Sequence, residues 1–374
     1  MAKPRNTEPA VAPVMLGRPQ PADILRVGII GCGKIAQARH IPEYRANQHA
    51  ELVGFYDLSN DRAKQVAYAN NGLTYGTWQA LLADQQIDAV SICTANASHT
   101  EIAVAALEAG KDVLLEKPMA TTLDECQRIV DAARLTRRLL MIDHNQRFNQ
   151  AHMLVRDLML SGEIGQLVSF RTTFGHAGPE SWSADPGPGT WFFDPEKAAL
   201  GAIGDLGVHK TDLLHFLTGE RVVEVSAQLA TLDKEDASGK PIRLDDNAIA
   251  IYKLSNGAIG TMAASWSFHG FEDNSTVLYG KCGIIEIYSD PEYQVIVTHP
   301  GAEPQKFAIE SIQTNDNQTA SGVIDAFVEA IRSGTSSPIP GEEALAAMRA
   351  VFAARESSQT GRTVAIPENA RHIP

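Results

Sequence analysis

A chain of 374 residues, 44% apolar and 21% charged, has the composition of an ordinary soluble globular protein and the length for two hydrophobic cores. Its net charge of -13 argues against a nucleic-acid surface, and no apolar run is long enough to span a membrane. Four cysteines, Cys32, Cys93, Cys126 and Cys282, stand far apart with no CxxC pair, which fits a reducing compartment, expected to be the cytoplasm, and gives no metal site.

Residues 1–23 are rich in proline and alanine and lack a continuous apolar core, so they read as a loose arm and not a secretory signal. The stretch from Arg26 to Ala36 organises the rest of the chain. It begins as an apolar, β-branched strand and turns through Gly31 and Gly33 into a helix, with Lys34 and Ile35 at the turn. Gly31 allows a tight turn, Gly33 lets backbone approach a pyrophosphate, and Ala36 permits close helix–strand packing. The helix N-terminus offers unpaired N–H groups to phosphates. This helix is expected to run to about His40 and to break at Pro42. The next strand, Leu52–Tyr56, leads into Asp57, a carboxylate roughly 20 residues on, where dinucleotide-binding folds hold the adenosine ribose.

Helices are expected over Asp61–Asn70 and Thr77–Ala83, then a buried strand over Ile87–Cys93. The segment Thr94-Ala95-Asn96-Ala97-Ser98-His99 comes after that strand, where Thr94 and Asn96 could reach a cofactor ribose or Ser98 could cap the helix Thr100–Leu107. A short strand, Val113–Leu115, ends in Glu116-Lys117-Pro118. Ligands gather at the carboxyl ends of such strands, so Lys117 could stand beside a nicotinamide or be a surface lysine. Thr122 and Glu125 form a capping-box pattern, and Leu139–Ile142 is a further strand. Strands alternating with helices argue for a parallel sheet covered on both faces, a domain of residues 24–146.

The pattern then changes. A helix over Ala151–Leu160, a strand over Leu167–Phe174 and a loop rich in Gly, Pro and Trp precede a helix over Leu206–Leu217. Successive strands come next without helices between them, with Asn256-Gly257 as a hairpin turn, and two helices close the chain. Residues 147–374 therefore read as an α+β domain with a mainly antiparallel sheet. Asp205 and His209 are spaced to share a helix face, along the apolar stripe of Leu206, Leu213 and Phe216. They are either a satisfied core pair or a proton-transfer pair beside a cleft.

In this order the glycine turn, Thr94–His99, Ala109–Val113, Glu116-Lys117-Pro118, Gln146-Arg147-Phe148 and Asp205-Leu206-Gly207-Val208-His209 resemble the Gfo/Idh/MocA family of oxidoreductases, from about Leu25 to Ile366. The resemblance implies a Rossmann domain with an open antiparallel sheet that often forms the subunit interface, hence a homodimer or homotetramer. It implies NAD(P)-linked oxidation or reduction of a sugar or cyclitol hydroxyl, of inositol or pyranose type. It implies a catalytic Lys117, with Asp205 and His209 binding substrate and shuttling the proton, and cofactor contacts from Gly31, Gly33, Lys34, Ile35, Asp57, Thr94, Asn96, His99, Glu116 and Lys117. Asp57 favours NAD over NADP, with Arg62 acting against that preference. Arg147, His176 and Trp191 are candidate sugar contacts. The family often has three glycines where Ala199-Leu200-Gly201 stands and a proline where Ala95 stands, which leaves the substrate open. The alternatives are an NADPH-dependent reductase of a keto-sugar or dicarbonyl, a silent NAD-binding regulator, and a redox-cycling glycosidase.

Overall fold

The computed structural model describes residues 24–309 and 320–367, so the N-terminal arm lies outside the described residues. The first layer is built by β1 (Leu25–Ile30), α1 (Ile41–Ala46), β2 (Ala50–Tyr56), α2 (Asn60–Ala69), β3 (Leu73–Thr74), α3 (Trp78–Ala83), β4 (Ala89–Ile92), α4 (His99–Glu108), β5 (Asp112–Leu115), α5 (Leu123–Thr136) and β6 (Leu140–Ile142). Its six strands run parallel in the order β3-β2-β1-β4-β5-β6, the doubly wound dinucleotide-binding topology. β4 and β5 are buried along their whole length, because helices cover both faces.

Local chemistry explains the element ends. Ser59, Thr77 and Thr122 accept hydrogen bonds from the backbone N–H groups of Arg62, Ala80 and Glu125. The capping box closes one residue early, since the Glu125 carboxylate accepts from the Thr121 N–H and hydroxyl. Pro42 does not end the first helix. A π turn over Ala36–His40, in which the Ile41 N–H reaches the Ala36 carbonyl, precedes α1, and Pro42 sits at the start of that helix, where no donor is needed.

The second layer holds α6 (Gln150–Ser161), β7 (Leu167–Gly175), α7 (Val208–Thr218), β8 (Val222–Ala230), β9 (Asn247–Leu254), β10 (Ile259–Ser265), β11 (Thr276–Gly280), β12 (Ile284–Ile287), β13 (Val295–Thr298), β14 (Gln305–Phe307), α8 (Val323–Ser333), α9 (Gly341–Thr360) and β15 (Val364–Ala365). Nine strands form one sheet in the order β14-β13-β12-β11-β7-β10-β9-β8-β15, antiparallel except where β7 lies parallel to β10. Asn256-Gly257 makes the β9–β10 turn, with Gly257 at φ +88°. Strands β3, β14 and β15 are too short to announce themselves by alternation.

One face of this sheet is covered, with α9 against β8 and α7 against β7. The other face is left bare by the described residues, and along it Ile249, Ile251 and Ile259 are half or more exposed. The chain end returns to the first layer. Val323, Ile324, Phe327, Val328 and Ile331 of α8 join the core formed by Val27, Ile29, Tyr44 and Phe55. The layers are thereby fixed against each other, and the cleft lies between them.

Candidate active site

The glycine turn comes first. Gly31 has φ +94°, and a Cβ there would lie 2.6 Å from the Cys93 carbonyl oxygen. Only glycine fits. At Gly33 a Cβ would meet nothing within 4 Å, so the backbone borders open space. Asp57 ends this side of the site. One of its oxygens accepts from the Cys32 N–H in the turn (2.8 Å) and the other from the Ser59 N–H (2.8 Å). Gly31, Gly33, Lys34, Ile35, Asp57, Thr94, Asn96, Glu116 and Lys117 line one cleft of about 620 Å³. His99 does not reach it. Its ring is fully buried, with the two nitrogens against the carbonyls of Pro118 (2.9 Å) and Thr94 (3.0 Å), so it braces the loop that carries Lys117. Asn96 spends its amide on the Ala198 carbonyl, and Ser98 bonds Thr94 and Ala95 without capping α4.

Glu116-Lys117-Pro118 leaves β5 at its carboxyl end, with the Lys117–Pro118 peptide cis. Glu116 accepts from His40 (3.0 Å) and from the Lys117 N–H (3.1 Å). Asp143 flanks the same His40 nitrogen at 3.2 Å. Burial opposes a charge on His40, but Cys93, Asp143 and Glu116 outweigh it and hold its pKa well above the usual imidazole value. Burial opposes the Glu116 carboxylate too, and His40 brings it well below the usual range. The cluster is a buried imidazolium between two carboxylates directly behind Lys117.

Lys117 reaches across the cleft. Its ammonium donates to the Asp205 carboxylate at 2.6 Å and to the Asp205 carbonyl at 3.1 Å. Asp205 lies in a second π turn, Ile203–Gly207, which precedes α7 and its His209. Such turns recur at functional sites. The half-buried Asp245 holds this turn by accepting from the Gly201 and Ile203 N–H groups, and a Cβ on Gly201 would collide with the Asp245 backbone at 1.9 Å. The second Asp205 oxygen accepts from the Trp266 indole N–H (3.0 Å). Burial opposes the carboxylate, but Lys117, His176 and these hydrogen bonds hold its pKa below the usual range.

The expected Asp205–His209 pairing is absent: the two Asp205 oxygens accept from Lys117 and Trp266, and no hydrogen bond joins the carboxylate to His209. His209 packs instead against Phe174 and His144, with ring centroids 5.9 and 6.2 Å away, and its Nδ1 is buried without a partner. Burial, then the charge of Lys117, push its pKa well below the ordinary value, so it stands neutral and able to accept a proton. His176 lines the same cleft with a buried, unpartnered Nε2, and Trp191, stacked on Phe192, forms a wall. Arg147 is elsewhere. Its guanidinium is buried and bidentate to Asp212 (2.6 and 2.7 Å), on α7 away from the cleft.

Several contributors carry no local sequence signal. Trp266, Asp245, His40 and Asp143 matter through contacts made across the fold, and none belongs to a spaced motif. Arg39 also lines the cleft, on the inner face of the first π turn.

The pattern of the family described as "Oxidoreductase family, NAD-binding Rossmann fold" matches residues 25–144, and that of the GFO/IDH/MocA C-terminal domain matches residues 152–286. The chain belongs to the Gfo/Idh/MocA family. Among similar proteins, levoglucosan dehydrogenase of Pseudarthrobacter phenanthrenivorans is 33% identical over 232 residues, 57% of each chain. Myo-inositol 2-dehydrogenase of Thermotoga maritima is 25% identical over 92% of this chain and 99% of its own. A solved levoglucosan dehydrogenase in complex with NADH and L-sorbose superposes with a TM-score of 0.82, at 25% identity, covering 92% of this chain and 100% of that one. This Gfo/Idh/MocA chain is accordingly an oxidoreductase with an NAD-binding Rossmann domain.

Proposed function

We propose that the chain oxidises a secondary hydroxyl of a pyranose, an anhydro-sugar or a cyclitol with NAD, and catalyses the reverse reduction with the same groups. The observation that carries this reading is the meeting of Lys117, Asp205 and His209 in the cleft that holds the glycine turn and Asp57. The names of the relatives, levoglucosan dehydrogenase and myo-inositol 2-dehydrogenase, support a cyclic polyol as substrate. The open space beside Gly33 suits a pyrophosphate, and Asp57 suits the ribose hydroxyls.

The nicotinamide, when bound, supplies the acceptor for the hydride that leaves the carbinol carbon. Every other task falls to the protein. Lys117 supplies an ammonium to stabilise the developing alkoxide. Asp205 fixes that ammonium from two directions, by carboxylate and by carbonyl, so it positions Lys117. His209, neutral and buried, takes the hydroxyl proton. His176 and Trp191 offer a hydrogen bond and an apolar wall to the ring. Retention of all three reactive groups favours an enzyme over a silent NAD-binding regulator. The bare sheet face with its exposed isoleucines is assigned to a second copy of the chain, and the free cysteines suit the reducing cytoplasm. NADH formation across inositols, pyranoses and anhydro-sugars tests the substrate reading. Turnover of one or more cyclic polyols is expected, and turnover confined to acyclic or aromatic alcohols contradicts it.

A further inference from the structure

The mouth of the cleft beside Asp57 is spanned by a charged bridge from the other domain. Arg62, one turn into α2, lies 3.5 Å from Asp57 and 2.6 Å from Asp185. Asp185 belongs to the loop between β7 and α7. That loop is braced at its base. Ser183 donates to the Asp185 carbonyl and Thr190 to Ser183, the Gly187 N–H bonds the Glu180 carbonyl, and Glu180 is ion-paired with the buried Lys234 at 2.6 Å. Asp185 is thus held over the cofactor domain by its own domain's framework, and it meets Arg62 at Nη2, whereas Asp57 faces Nη1.

We propose that Asp185 is a cofactor-specificity residue, supplied by the substrate domain, that excludes NADP by occupying Arg62. An arginine near the acid after the second strand is the group able to accept a ribose 2′-phosphate. Here that arginine is shared between two carboxylates. Formal charges of one cation and two anions leave the trio negative. A 2′-phosphate, itself bearing about -1.5 to -2, meets net repulsion and an arginine already paired with two carboxylates. Without the Asp185 charge the trio becomes neutral, and Arg62 gains a free edge for bidentate phosphate binding. Asp57 alone favours NAD through the ribose hydroxyls; Asp185 adds selection against its phosphorylated counterpart.

This inference rests on the cofactor site proposed above. Its test is fluorescence titration of NADH and NADPH with the full chain, Asp185→Asn, and Asp185→Asn combined with Arg62→Ala. Asp185 is a surface side chain, 67% exposed, so its replacement leaves the core untouched. Asp185→Asn is expected to tighten NADPH relative to NADH by roughly fivefold or more, as relief of a like-charge contact allows. The gain should shrink with added salt and be clearly smaller when Asp185→Asn is made on the Arg62→Ala background, with Arg62→Ala alone as the reference. An unchanged NADPH/NADH ratio in Asp185→Asn, or a gain undiminished by loss of Arg62, overturns the inference while leaving the NAD site standing. Failure of the unaltered chain to bind either dinucleotide overturns both.

Discussion

The two glycines of the turn do different jobs, and a methyl group separates them. Gly31→Ala forces a Cβ to 2.6 Å from a carbonyl oxygen at positive φ, so it is expected to destabilise the fold by about 1–3 kcal/mol, the usual cost of a strained backbone site. Gly33→Ala meets no protein atom, so its thermal midpoint should stay near that of the unaltered chain while NADH binding weakens. Thermal melts and fluorescence titration of both variants check this. His209 makes a second prediction. Only its neutral form accepts a proton, and burial with Lys117 lowers its pKa well below 6.5. The acid limb of kcat/KM for oxidation, which reports the free enzyme, should therefore fall well below pH 6.5. An inflection near 6.5 that disappears in His209→Ala would argue against this environment. That the turn glycines, Asp57, Lys117 and His209 line one cleft was legible, because the glycine turn and the strand ends are marked by a few neighbouring residues. The roles of Arg147 and His99 were not. Nothing in Gln146-Arg147-Phe148 reveals that Asp212, distant in sequence, takes the guanidinium.

At the scale of elements, the loop after β5 owes its shape to buried polar partners. His40 bridges Glu116 and Asp143 at 3.0 and 3.2 Å, behind Lys117. His40→Leu leaves two carboxylates facing each other in the core and should cost about 3–5 kcal/mol, the range for breaking a buried ion pair. The pKa directions set the pH window. The raised His40 value gives stability that is full below about 6.5 and lost as pH rises through the folded value. The depressed Glu116 value gives stability present above about 4.3 and lost as pH falls through its folded value. The variant's deficit should thus be greatest between about pH 4.3 and 6.5 and narrow toward acid, as urea unfolding at several pH values would report. A deficit constant with pH contradicts the charged cluster. Helices with hydroxyl caps and strands with apolar runs were readable from local pattern. The two π turns were not, because each depends on a longer-range fit: Pro42 after the first, Asp245 beneath the second.

For the whole molecule, the order of elements already implied a Rossmann layer and an open sheet, since βα alternation and then consecutive strands leave few arrangements. The return of α8 to the first layer was hidden, because an amphipathic helix does not say which core it joins. On the bare face, Ile249 and Ile251 lie two residues apart on β9, and Ile259 stands on the neighbouring strand opposite Lys253. Ile251→Glu should dissociate the proposed oligomer, and light scattering at micromolar concentration would show the mass fall to that of one chain; an unaltered chain that is already monomeric contradicts the assignment. The cleft itself is a whole-molecule property. Lys117 comes from one layer and Asp205 and His209 from the other, and their convergence is the basis of the proposed chemistry. Steady-state oxidation of a turned-over cyclic polyol by the unaltered chain, Lys117→Met and His209→Ala, with NADH affinity measured in parallel, tests it most directly. The expected result is a loss of about a hundredfold or more in kcat for each variant, with NADH affinity little changed in His209→Ala; near-native kcat in both variants would contradict it.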